Sequence, residues 1–203
     1  MFKNILSLPI IILTTISLLH PIQANTNKQN ASATCQKSVC KEIKCPPCDE
    51  PLPGTALWHY MKGVEEIMGM RNATNAYLAN EHFKRAADMD YAPAIKALAD
   101  SYYSGDGIDK DQHQALMLYI RSAELGDGSA QFNAGVILLR GYAGPTNYEL
   151  AFYYLCLATM NEGLDEMAQD AAIYRDEAGT LLTPEQALSV YRKLAVKKVN
   201  RVH

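Results

Sequence analysis

From residue 69 onward the chain matches itself at an offset of 36 residues, with Gly69, Gly105 and Gly141 in one register. A period of this size marks an array of repeated supersecondary units rather than one irregular core. Asn75, Asp111, Asn147 and Thr183 form a second series, and all four are good helix N-caps. Ala79, Ala115, Ala151 and Ala187 form a third; Phe83, Tyr119, Leu155 and Tyr191 a fourth; Ala87, Ala123, Thr159 and Ala195 a fifth. So many coincidences in one register leave chance no room.

Each unit reads as two helices. Ala92 to Ser104 and Gly128 to Arg140 carry apolar or small residues at helical spacing, and a glycine follows each where a helix should stop. The second helix starts at the N-cap series and bears Ala115, Tyr119 and Ala123, four residues apart on one face. Small residues there let helices approach and the large one fills the gap. The last unit opens with Thr183-Pro184-Glu185-Gln186: an N-cap, a proline at the first helical position and a glutamine at the third. No stretch has a strand pattern. The fold class that follows is all-α, an α/α helical-repeat solenoid.

The residues Ala92-x-Ala94-x-x-x-Leu98-Ala99-x-x-Tyr102-x-x-Gly105-x-Gly107-Ile108-x-x-Asp111-x-x-x-Ala115 resemble the Sel1-like repeat, a tetratricopeptide-like unit. Gly128 to Gly163 resembles it less fully, because Gly141-Tyr142-Ala143-Gly144-Pro145-Thr146-Asn147 replaces the G-x-G turn. Leu57 to Met70 keeps Gly63 and Gly69 but puts Lys62 and Glu66 at apolar positions, as a terminal cap with a polar outer face would. The resemblance implies stacked helix pairs whose first helices line a concave groove for another protein's helix, loop or tail.

Ahead of the repeats, Lys3, the apolar run Ile5 to Leu19 and Ile22-Gln23-Ala24 read as a secretory signal peptide over residues 1–24. The run contains Pro9 and is short against the roughly 18 to 20 residues that span a bilayer, so no membrane span is expected after cleavage. The expected location is periplasmic or secreted. Residues 25–54 form a polar, proline-containing linker, 55–198 the repeat domain and 199–203 a tail. Cys35, Cys40, Cys45 and Cys48 lie in the linker, and an even cluster in an exported, core-poor segment argues for disulfides, with three pairings open. The same cysteines offer a route to oligomers. A zinc knot is the competing reading. A redox-active Cys45-Pro-Pro-Cys48 lacks the folded surroundings that lower a thiol pKa.

Enzymatic signatures are missing. His59, His82, His113 and His203 are not paired with another ligand type at i+3 or i+4 in a recognised metal motif, and no H-E-x-x-H, G-x-S-x-G or phosphate loop occurs. Ser38-Val39-Cys40-Lys41 matches S-x-x-K only within the linker. Some exported, cysteine-rich Sel1-like proteins are penicillin-binding or β-lactamase-like and carry a cysteine pair in each repeat. This chain has only Cys156 in its repeats, where it reads as a buried, inert thiol. Gly105 to Asp111 lacks the ligand order of a calcium loop and reads as the inter-helix turn. No cofactor is implied. A net charge of −3, with basic residues gathered only near the C-terminus, argues against nucleic acid.

The expectation is therefore a non-enzymatic scaffold for a protein partner, with a structural cell-envelope component as the second reading and a cell-wall or β-lactam enzyme as the third. Repeat positions that break the pattern are free to serve binding: Ile95 aligns with Gln131, Lys96 with Phe132 and Tyr103 with Leu139. Tyr103, Gln131 and Arg140 are the candidate groove contacts, since aromatic and arginine side chains are common interface anchors.

Overall fold

The computed structural model describes residues 51–69, 74–161 and 165–200. These residues hold the helices α1 (Ala56–Ile67), α2 (Ala76–Ala87), α3 (Ala92–Ser104), α4 (Gln112–Glu124), α5 (Gly128–Arg140), α6 (Tyr148–Thr159), α7 (Asp165–Thr180) and α8 (Pro184–Asn200). Residues 1–24, read as a signal peptide, together with Cys35, Cys40, Cys45 and Cys48 and Ser38 to Lys41, lie outside the described residues.

The helix starts follow from the capping chemistry. Asn75, Asp111 and Asn147 accept the backbone N–H groups of Leu78, Gln114 and Leu150 through their side chains, each at about the same 3.0 Å. Thr183 and Gln186 close a reciprocal box: the Thr183 N–H donates to Gln186 Oε1 at 2.9 Å, and the Gln186 N–H to Thr183 Oγ1 at 3.3 Å. α3 and α5 end at Gly105 and Gly141, whose φ values of 86° and 71° are left-handed and suit glycine. Gly107 has a second constraint, because a Cβ there would lie 2.4 Å from the Ala76 carbonyl carbon.

The helices pair as α1 with α2, α3 with α4 and α5 with α6, and each second helix also packs on the next first helix. A small residue on each first helix receives a large one from its partner. A Cβ at Gly63 would lie 2.4 Å from Phe83 Cε1, and one at Gly135 would lie 2.6 Å from Leu155 Cγ. Ala99 and Tyr119 hold the same register in the middle pair, both buried. Ala79, Ala115 and Ala151 are fully buried, as the small-residue series requires. Burying a ring such as Phe83 contributes about 1.5 to 3 kcal/mol. Polar ties reinforce the stack: Arg121 on α4 donates to the Ala87 carbonyl of the preceding pair at 2.9 Å, and within its own pair the fully buried Ser122 donates to the Ala92 carbonyl of α3 at 2.8 Å.

The last pair departs from this plan. Ala171 is fully buried at the small position, yet Tyr191 in the large position is 56% exposed. Tyr191 stacks edge-on against Phe152 at 5.7 Å, and α8 packs on α6 and hardly meets α7. Gly179 gives Phe152 its place, since a Cβ there would lie 3.2 Å from the ring. The result is an open groove of about 850 Å³ between α6, α7 and α8.

Candidate functional site

The first helices present one continuous band of half-exposed side chains. On α3 it holds Lys96, Asp100 and Tyr103, on α5 Phe132, Asn133, Val136 and Arg140, and on α7 Tyr174 and Glu177. Helical spacing places these residues on one side of each helix, away from the small residues that meet the partner helix.

At its centre lies a cavity of about 280 Å³, lined by Tyr103, Tyr119, Phe132, Asn133, Val136 and Ile137. Its floor is polar at one point: the Tyr119 hydroxyl, on a side chain only 3% exposed, donates to Asp100 Oδ1 at 2.5 Å. Burial, the hydrogen bond to Asp100 and its negative charge push the Tyr119 phenol far up, so it remains a neutral donor. Asp100 also pairs with Lys96 at 2.8 Å. Apolar walls thus surround a few fixed polar groups, the usual make-up of a small binding pocket.

Two of the sequence-derived contacts lie on this band and one does not. Tyr103 lines the cavity, with Lys110 Nζ 5.9 Å from its ring centre. Arg140 reaches across to α7, where it forms a two-point ion pair with Glu177 at 2.7 and 2.8 Å and lies 5.5 Å from the centre of the Tyr174 ring. It braces α5 against α7 as much as it faces solvent. Gln131 is misplaced as a groove contact: it is 1% exposed, and its Nε2 donates to the Ala123 carbonyl at 3.2 Å. The physical reason lies in its alignment with Ile95, which is fully buried. The position belongs to the core whichever residue fills it, so a change of residue type there did not signal the surface.

Phe132 was named among the pattern-breaking positions but was not one of the three candidate contacts. It aligns with Lys96, and both are half-exposed on the band; the Phe132 ring meets Tyr174 at 5.8 Å. A polar residue and an aromatic one sharing a repeat position was the available signal. The same register carries the band onto α1 and its C-terminal cap, where Met61 is 44% and Met68 65% exposed.

Cys156 lies elsewhere, in α6, buried and free, with its thiol pushed up to about 11 by burial. Asp111 and the loop around Gly107 serve the turn: Asp111 caps α4, and the Asp106 carbonyl accepts from Asn80 Nδ2 at 2.8 Å. No helix among the described residues is long and apolar enough to cross a membrane.

The family model of the Sel1 repeat matches residues 56–91, 92–127 and 128–162, together more than half of the chain. The first match includes the α1–α2 pair, so the polar Lys62 and Glu66 belong to a full repeat. A Sel1 repeat protein from Oxalobacter formigenes is similar in structure, with a TM-score of 0.57 and 25% identity over 70% of this chain. A protective antigen of uropathogenic Escherichia coli strains, displaying an SLR fold, has a TM-score of 0.59 and 24% identity over 68% of this chain. The chain spans 58% and 28% of the lengths of these two proteins. Comparison with curated proteins finds no match.

Proposed function

Because the chain belongs to the Sel1 repeat family, we propose that it is an exported, non-enzymatic adaptor that binds another protein through the first-helix band. The observation that carries this reading is the cavity between Tyr103, Phe132 and Val136, with the Tyr119–Asp100 hydrogen bond at its floor. A protruding apolar or aromatic side chain of the partner fills the cavity, and the Lys96–Asp100 and Arg140–Glu177 pairs form a charged rim around it. Aromatic anchors in a desolvated centre with a polar rim are the usual division of labour in an interface. The exposed methionines of α1 extend the band with side chains that adapt readily to a partner's shape.

Val136→Arg tests the reading, because it fills the cavity mouth while its long side chain can still reach water. The mature protein and this variant are compared for partner recovery from the cell envelope, alongside Met117→Arg on α4, where the native side chain is 53% exposed. The expected result is lost recovery for Val136→Arg alone, with melting unchanged in both variants. Equal recovery by all three proteins refutes the assignment of the band.

A further inference from the structure

α8 ends the array of helices and is apolar on two sides. One side lies on α6: Val190 is fully buried, Ser189 and Lys193 reach Glu149 at 3.2 and 3.1 Å, and Lys197 Nζ stands 5.9 Å from the centre of the Tyr153 ring. The other side carries Leu188, Tyr191 and Val196, which are 50%, 56% and 62% exposed. α7 does not cover them, because α8 hardly meets it, and the groove between α6, α7 and α8 opens beside Tyr191 and Ala195. A terminal helix of a repeat array needs a polar outer face, and a helix apolar on two sides belongs between two neighbours.

The charges on the outward side identify the second neighbour. Glu185, Leu188, Arg192 and Val196 follow one another at spacings of three and four residues, and so lie along one stripe. Glu185 and Arg192 are exposed, and among the described residues neither has an ion-pair partner in its own chain. They flank Leu188 almost evenly, one ahead of it and one behind, with opposite charge. Read backwards, the order acidic, apolar, basic becomes basic, apolar, acidic. The stripe therefore complements its own reverse.

We propose that a second copy of this chain covers the stripe, the two α8 helices packing antiparallel about a two-fold axis at Leu188. The Leu188 side chains of the two copies meet at the axis, and Glu185 of each copy faces Arg192 of the other, giving two equivalent ion pairs. Val196 lies over the turn that leads into the other copy's α8, where Leu181 is 49% exposed. A parallel pair would set Glu185 against Glu185 and Arg192 against Arg192, so the flanking charges fix the orientation. A helix of 17 residues is about 25 Å long, and contact along one face of it buries less than the roughly 1,600 Å² of a standard interface. The dimer is accordingly a reversible one, set by concentration. α8 contributes no residue to the first-helix band, so dimer formation and partner capture are separate events.

Sedimentation velocity of the tag-free mature chain, from about 5 to 200 µM, tests the pairing. A reductant is present throughout, so that disulfides at Cys35 to Cys48 cannot link the chains. The parent should pass from monomer to dimer over this range. Glu185→Arg and Arg192→Glu each turn both attractive pairs into repulsive ones, and each should weaken the dimer at least about 10-fold. An equimolar mixture of the two variants should dimerise again, because each chain then meets the opposite charges on the other. Leu188→Asp should abolish the dimer. Circular dichroism melts check that each variant is folded, and Arg192→Glu with Leu188→Asp carries the test if Glu185→Arg melts early. A parent that stays monomeric overturns the proposal, and so does a dimer that the substitutions leave unchanged. Two folded variants that remain monomeric when mixed overturn the antiparallel pairing on which it rests.

Discussion

Gly63→Ala isolates the contact that sets the spacing of the first helix pair. The added methyl would lie 2.4, 2.7 and 3.0 Å from three atoms of the Phe83 ring, and ordinary contact begins near 3.4 Å. Phe83 is 1% exposed and also meets Tyr60 at 5.8 Å, so the ring has no solvent to swing into. α1 must instead recede by about 1 Å, an overpacking cost of about 1 to 3 kcal/mol. Alanine returns about 1 kcal/mol through its better helix propensity. Ala99 opposite Tyr119 shows that the repeat tolerates alanine at this register in the middle pair. The net loss is therefore up to about 2 kcal/mol, or a fall of up to about 8 °C in melting temperature for a domain of this size. Circular dichroism melts of Gly63→Ala, Phe83→Leu and the double variant measure it. The smaller Phe83→Leu side chain should recover most of the loss, giving a coupling of about 0.5 to 3 kcal/mol. Gly63→Ala melting at or above the parent would mean that Phe83 is not wedged against α1, and would refute the small-to-large packing rule.

Gln131→Ile should leave stability within about 1 kcal/mol or raise it, because the matching position holds the buried Ile95 and the Ala123 carbonyl keeps the Gly126 N–H as a donor at 3.1 Å; partner recovery should not change, and a melting temperature lowered by many degrees would contradict the core assignment. Stability should fall as pH drops below about 6.5, since His59 and His82 have lowered pKa values when folded and the unfolded chain binds protons first; chemical melts between pH 7.5 and 5.5 of the parent and His82→Asn check it, and equal slopes would count against it. Cys156 should resist alkylation in the folded chain and react on unfolding, because burial holds its thiol near 11; timed labelling with iodoacetamide follows both states.

The repeat was legible because its punctuation is local. Asn75, Asp111, Asn147 and Thr183 act on backbone groups three residues away, and Gly105 and Gly141 act on their own φ angles, so a reader of sequence sees the whole interaction. α3 and α5 accordingly begin and end where the pattern places them. The last pair was less legible. Tyr191 fits the large-residue series perfectly, but whether it packs on α7 or on Phe152 of α6 depends on how the final helices stack, and no residue in the series records that. The first-helix band was half legible for a similar reason. Tyr103 and Arg140, chosen by residue type, lie on it, whereas Gln131 is buried, and a single helix face does not reveal which side turns toward the next pair. His59 and His82 carry no mutual spacing at all; only the α1–α2 packing brings them together.

A photo-crosslinking amino acid placed singly at Asn133, Met117 and Ile173 tests the adaptor assignment most directly. Asn133 lines the cavity on the first-helix band, while Met117 and Ile173 are 53% and 67% exposed on α4 and α7. Irradiation in the cell envelope should trap one defined partner from Asn133 and nothing from Met117, with the adduct abolished by Val136→Arg. Adducts from Met117 with none from Asn133 would contradict the account and move the binding face to the second helices.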